Sequence, residues 1–415
     1  MSQTIELGQA ATGPLAGVRI VDLTTIYSGP IATSILGDQG ADVIKIESAA
    51  GDLMRKGRPA RNRVTGAFAM MNRNKRSVVL DIRKDAGREA LIKLIAVSDV
   101  LIENFRPDVM ARLRLSFEEV REHNPRIIYV SINGVGASGP YAKRRVYDAV
   151  IQAISGMAAI QANPADGTPN MINTLICDKI TSLAASQSIT AALYARERTG
   201  TGQRIELSML DASLFFLWPD GMSNFTFMGE DIETAPYLDH SIFVRQTADG
   251  HVAVMPVKPA EWEGAFRALE LPNLLEDERF NSIDARFANM DAWQQIINDA
   301  YQQFTTSEIC ERLEAEDVPY SHINGRDAVI DDPQIDAMDA LWEFEHPIAG
   351  PMRQPRPSAQ FHDTPSNLRR ASPGLGEHTD EVLAELGYTD TEIEAMRDAE
   401  ILGVRDDTEA DTNAT

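Results

Sequence analysis

Through the first ~150 residues short apolar runs alternate with amphipathic stretches, the pattern of βαβ units and a parallel sheet. Val18–Leu23 (VRIVDL) reads as a first strand, and Ser28-Gly29-Pro30 turns the chain into a helix opened by Ile31, Ile35 and Leu36. Ala41–Ile46 and Ser77–Leu80 predict further strands. Asp85–Val97 carries Leu91, Leu94 and Ile95 at helical spacing. A strand at Asp99–Ile102, a helix at Phe117–His123 and a buried strand at Arg126–Ser131 complete the series. The expected fold class is α/β, a Rossmann-like doubly wound sheet, which binds ligands at the carboxyl ends of its strands.

Farther on, Asp178–Arg198 predicts a helix rich in small residues (Ser182, Ala184, Ala185, Ser186, Ser188, Ala191, Ala192), which lets another backbone approach closely. Thr199–Gly202 turns into a strand at Arg204–Ser208, followed by Asp211–Leu217, apolar on nearly every face and expected to be buried, with a subunit interface as one place for it. Thr226–Pro236 is polar and marks a boundary. A smaller α+β unit then begins at Val252–Met255 and continues with helices at Glu261–Leu269, Ala292–Phe304 and Ser307–Glu314. Pro347–Pro373 is proline-rich and reads as a long extended return, Asp380–Leu386 as a helix, and Arg405–Thr415 as an acidic tail expected to be disordered. The layout expected is a large domain over 1–225, a small domain over 226–330, a return to the large domain over 331–400, and a tail over 401–415.

The 415 residues carry a net charge of −23, which repels phosphate backbones and anionic lipid, so neither nucleic acid nor membrane is an expected partner. No apolar run approaches the ~18–20 residues of a membrane span, and Met1–Gly13 lacks the basic and apolar regions of a secretory signal. Two cysteines, Cys177 and Cys310, do not make a disulfide framework, and a cytoplasmic location is expected. Ser28-Gly29-Pro30 stands where a dinucleotide fold would carry G-x-G-x-x-G, and its proline removes an amide, so a nicotinamide cofactor is not expected. The seven histidines are scattered without metal-ligand spacing.

Three features remain as candidate chemistry. Asp178 sits at a predicted helix N-terminus, where the macrodipole and free amides keep a carboxylate ionised, the state a nucleophile needs; a plain N-cap would look the same. Ile132–Pro140 holds three glycines in six positions, either a ligand-hugging backbone or a simple turn. Asn72-Arg73-Asn74-Lys75-Arg76 is a basic island in an acidic chain, suited to a phosphate-bearing ligand or to solvated surface.

An ordered set of segments resembles the class III CoA-transferases, the formyl-CoA and carnitine CoA-transferase family. It comprises Gly17–Leu23, Ser28–Pro30, Gly40–Glu47, Asn74–Ser77, Glu103-Asn-Phe-Arg-Pro107, Tyr147-Asp148-Ala149, Thr199–Gln203, Asp249-Gly250, Asp332-Pro333 and Leu375–Leu383. The resemblance implies an interlocked homodimer that moves CoA from an acyl-CoA to a carboxylic acid, with the CoA thioester as substrate and no permanently bound cofactor or metal. Its nucleophilic aspartate falls on Asp178, which forms a mixed anhydride and then an aspartyl-CoA thioester. CoA contacts map to Tyr27 and Ser28, to Leu80 and Arg83 near the adenine and 3′-phosphate, to Asn104 and Phe105 on the pantetheine path, and to Arg112. Arg145 replaces a family lysine. Ser48 stands where the formyl-CoA enzyme has arginine, and no glycine-rich lid run appears between 220 and 260. A small dicarboxylic pair with a succinyl-type donor is the expected substrate set. Tyr237, His240 and Arg245 are candidates for the acyl end, or ordinary packing residues. The racemase branch of the same family uses a histidine where this chain has Tyr147, a poor exchanging base at an unperturbed pKa of ~10. A non-catalytic nucleotide-binding protein is the alternative from another class.

Overall fold

The computed structural model describes residues 3–163, 165–234 and 243–403. They divide into two compact units, one drawing on both ends of the chain, up to Gly229 and again from Asp339, the other spanning Glu230–Met338.

The first unit is built on strands β1 (Arg19–Asp22), β2 (Asp42–Glu47), β3 (Lys75–Val79), β4 (Val100–Glu103), β5 (Ile128–Asn133) and β6 (Arg204–Ser208). They form one parallel six-stranded sheet in the order 3-2-1-4-5-6. Successive residues face opposite sides and both sides are dry. Ile20, Val43, Val100 and Ile128 pack on one core, while Val21, Ile44, Leu101 and Tyr129 pack on the other. Hence the strands read as apolar runs rather than alternations. Helices α1 (Ser28–Asp38) and α5 (Ile176–Thr199) cover the first face with Ala32, Leu36, Ala185 and Ile189. On the second face lie α2 (Asp85–Ala96) and α3 (Phe117–His123). Helices from the chain's return, Thr379–Glu385 and Asp390–Asp398, add Val382, Leu383, Ile393 and Met396 to that second core.

The proline-rich return, expected as one long extended segment, begins instead in a hairpin, where Leu341–His346 and Gly350–Pro355 pair antiparallel. Helix α6 (Met209–Gly221) buries Met209, Ser213 and Leu217 but leaves Phe215 85% and Phe216 53% exposed, so its apolar girdle is only partly covered within one chain. Nearby in sequence, Phe227 and Met228 are exposed as well.

The second unit packs helices Pro259–Ala268, Met290–Tyr301 and Thr306–Ala315 on a three-stranded antiparallel sheet. Phe266, Phe280, Trp293 and Tyr301 form its core, and Arg286 stacks 4.4 Å from the Trp262 ring.

Candidate active site

In a sheet of order 3-2-1-4-5-6 the connections leave β1 and β4 in opposite directions, which opens a crevice beyond their carboxyl ends. Asn104, just past β4, bridges that point. Its side chain accepts the Thr25 N–H at 2.9 Å and donates to the Thr25 carbonyl at 2.8 Å, holding the β1–α1 turn as a strand partner would.

The turn is fixed from below by a buried polar network. Asp22 accepts from the Thr24 N–H and the Thr33 hydroxyl and pairs with Lys75 Nζ at 3.0 Å. Lys75 also donates to the Pro30 carbonyl, and Lys45 donates to the Thr24 carbonyl and to Asp52. Both lysines and both carboxylates have side-chain exposures of 0%. Burial alone would raise Asp22, but the two ammonium groups and the threonine hydroxyls outweigh it and hold the carboxyl at about 2. Burial lowers Lys75 to about 8 despite Asp22, so the pair is still ionised at neutral pH. These contacts draw the carbonyls of Thr24 and Pro30 inward. Between them Ile26 sits at φ 75°, a left-handed conformation costly for a β-branched residue, with its N–H on Asp52. Gly29 is required by space, since a Cβ there would lie 2.3 Å from the Thr24 side chain.

Asp178 lies in the first turn of α5, against this turn. The small residues of α5 permit the approach: Ser182 Oγ donates to the Ser28 carbonyl at 2.7 Å. The Ser28 hydroxyl and N–H, at the N-terminus of α1, face the Asp178 carboxylate and favour its charged form. At the opposite end Arg196 anchors α5 through Asp99 at 2.8 Å. Sequence reasoning expects the dipole to keep Asp178 acidic; instead its carboxyl is pushed up to about 6. Burial is the larger cause and the Asp148 charge the next, with Ser28 and Lys179 opposing them. At pH 7 the group is still mostly ionised, and more basic than an exposed aspartate.

Asp148 escaped the sequence reading as a site residue. It opens α4 (Asp148–Ile154), is buried, and accepts the Asp178 N–H at 3.0 Å. Its only trace in the sequence is the Tyr147-Asp148-Ala149 segment, and a contact across 30 residues leaves no local pattern.

The expected CoA residues follow the carboxyl ends of neighbouring strands: Tyr27 and Ser28 after β1, Leu80 and Arg83 after β3, Asn104, Phe105 and Arg112 after β4, Arg145 after β5. Tyr27 is half-buried, and Arg112 and Arg145 are exposed. Arg83 is exposed and paired with Asp81. Phe105 rests partly buried on the core, whereas the Leu80 side chain lies within it, so only its backbone faces the edge. The basic island does not supply ligand cations. Arg73 pairs with Asp38, Lys75 with Asp22, and Arg76 with Asp42 and Glu385, all three cations buried. In the Gly134–Gly139 loop, Gly134 is explained by packing, because a Cβ would meet Val146 at 1.9 Å. Arg245 is buried in the second unit, donating to Gln294 and Asn298. Tyr237 and His240 lie outside the described residues, as does the 405–415 tail. Among the described residues no three His, Cys, Asp or Glu side chains group to hold a metal, and no helix is long and apolar enough to cross a membrane.

The sequence matches the model of CoA-transferase family III over residues 15–379. It is 32% identical to the succinyl-CoA:glutarate CoA-transferase of Homo sapiens over 395 residues, covering 94% of this chain and 90% of that protein. It is 31% identical to the formyl-CoA:oxalate CoA-transferase of Streptomyces coelicolor, covering 94% and 99%. A CAIB/BAIF family protein from Brucella suis has a similar structure, with a TM-score of 0.78 at 30% identity, covering 90% of this chain and all of that one.

Proposed function

The chain belongs to CoA-transferase family III and is a CoA-transferase; from that premise we propose that Asp178 is its nucleophile and that it transfers CoA from a succinyl-type donor to a small dicarboxylic acid. The observation that carries this is one carboxylate at two helix N-termini, set against Ser28 by the Ser182 hydrogen bond and kept basic by burial and Asp148. In this reading the ionised Asp178 attacks the thioester carbonyl, the C–S bond breaks, and CoA thiolate leaves a mixed anhydride. The thiolate then attacks the aspartyl carbonyl and expels the donor acid, giving an aspartyl-CoA thioester. The acceptor carboxylate attacks that thioester, and the same steps in reverse release its CoA ester. No bond of higher energy than a thioester or anhydride is needed.

CoA lies along the carboxyl edge of the sheet. Arg83, Arg112 and Arg145 are the exposed cations for its phosphates, Tyr27, Asn104 and Phe105 flank its arm, and the Leu80 backbone meets its base. The succinyl-type donor is supported by the human relative; the oxalate enzyme is comparably similar, so the donor is the part to test. We also propose an interlocked homodimer, for which the exposed Leu183, Phe215 and Met228 supply apolar surface for a second copy.

The test is mass spectrometry after incubation with succinyl-, glutaryl-, formyl- and oxalyl-CoA, followed by hydroxylamine or borohydride. Modification of the Asp178 peptide is expected, strongest with succinyl-CoA, and Asp178→Ala should lose it while CoA binding stays within about threefold. Adducts from formyl-CoA alone would replace the donor. Exchange retained in Asp178→Ala would overturn the nucleophile.

A further inference from the structure

The first turn of α5 is held in a way the nucleophile itself does not explain. A helix start has four unpaired N–H groups, usually capped by a neighbouring Ser, Thr, Asn or Asp. Leu175, at the cap position of α5, makes no such bond. The Asp178 N–H is taken instead by Asp148, which is 1% exposed, on Oδ2 at 3.0 Å. The other oxygen of Asp148 accepts Gln152 Nε2 at 2.6 Å. Both partners donate, so the carboxylate is an acceptor on each side. Gln152 takes the Ile172 N–H on Oε1 at 2.9 Å and lies 3.2 Å from the Thr174 carbonyl, tying down the segment that enters α5.

Resting on the reading of Asp178 as nucleophile, we propose that Asp148 is a positioning residue for the transfer: through the Asp178 N–H and the Gln152 clamp it fixes the first turn of α5 and sets a second negative charge beside the nucleophile. A helix N-terminus shared by two carboxylates stabilises each less than it would one alone. Among the described residues the charged or titratable neighbours of Asp178 are Asp148 from α4, and Lys179 and Cys177 from its own helix; α1 contributes the neutral Ser28. Burial pushes the Cys177 thiol up to about 11, so it does not titrate in the working range. A more basic carboxylate is a stronger nucleophile toward a thioester carbonyl, and the fixed turn keeps its oxygens facing Ser28.

Asp148→Asn and Asp148→Ser keep an acceptor for the Asp178 N–H and remove the charge. The measurement is the pH dependence of single-turnover adduct formation at Asp178 with succinyl-CoA, beside CoA affinity by calorimetry. In the unmodified protein the acid limb is expected near pH 6. In both variants it moves about one pH unit lower, and the rate at pH 7.5 falls about tenfold or more, with CoA affinity held within about twofold. A limb that stays in place while the rate falls overturns the charge role. Gln152→Leu leaves the charge and cuts the clamp, so it should slow adduct formation without moving the limb; an unchanged rate overturns the positioning role even if the Asp148 variants do not fold. Absence of any Asp178 adduct in the unmodified protein, with exchange intact, would reject the nucleophile reading instead.

Discussion

Two carboxylates at the same edge of one sheet behave in opposite ways. Asp22 is wholly buried and held at about 2, while Asp178 is less buried and raised to about 6. Burial opposes the charge at both. The difference is company: two lysines and two hydroxyls surround Asp22, whereas Asp178 faces Asp148 and has Ser28 and Lys179 against it. Depth therefore does not set a carboxylate's acidity in this protein; the balance of its partners does. The Asp22 network makes the turn rigid, and that rigid turn presents Ser28 to Asp178.

Breaking the balanced site should have the largest effect. Asp22→Asn leaves Lys75 and Lys45 buried against one fewer negative charge, with an expected loss of about 3–5 kcal/mol in urea unfolding. Because the Asp22 pKa is depressed, its stabilisation is present above about pH 4 and lost as pH falls toward 2. The gap between variant and parent should narrow in that window, and a gap constant with pH would contradict the account.

The unbalanced site should respond with the opposite sign. Asp178 binds its proton more tightly folded than unfolded, so stability falls as pH rises from about 4 to about 6. Asp178→Asn should then raise stability at pH 7.5 by about 2 kcal/mol, with little difference at pH 4, while transfer is lost. Differential scanning calorimetry at the two pH values checks this; destabilisation at pH 7.5 would mean that the carboxylate is structurally favourable after all. The mildest change is Asn104→Ala, which removes two hydrogen bonds to the Thr25 backbone. A loss of about 1–2 kcal/mol and a several-fold slower adduct step are expected, and an unchanged adduct rate would separate the turn from the chemistry.

The parallel sheet was legible because strands buried on both faces leave continuous runs such as Val18–Leu23. The location of Asp178 was legible because a helix rich in serine and alanine announces a close approach, which Ser182 on Ser28 makes. Its acidity was not, since burial is set by the fold and the charged neighbour Asp148 is 30 positions away in sequence. The basic island misled for the same reason at greater range: Arg73 finds Asp38 35 residues away, and Arg76 finds Glu385 309 residues away. Charge counted along a chain does not reveal where its partners fold. Helix α6 is a different case: a helix apolar on all sides reads as buried whether its cover comes from its own chain or from another, and its own chain covers only part of it.

The participation of both chain ends in the first unit sets an order on biosynthesis. The core of the second unit is closed by side chains between Val252 and Val318, so a ribosome that has released that stretch has released everything this core needs. The sheet waits longer. Its second face is completed by Val382, Leu383, Ile393, Met396, Ile401 and Leu402. Until those residues emerge, strands made at the start of translation have that face covered only by α2 and α3, a partly exposed state prone to association with other nascent chains. The inserted unit becomes a timer of about 110 residues, several seconds to tens of seconds of elongation, during which α5 exists but the packing of its sheet is unfinished.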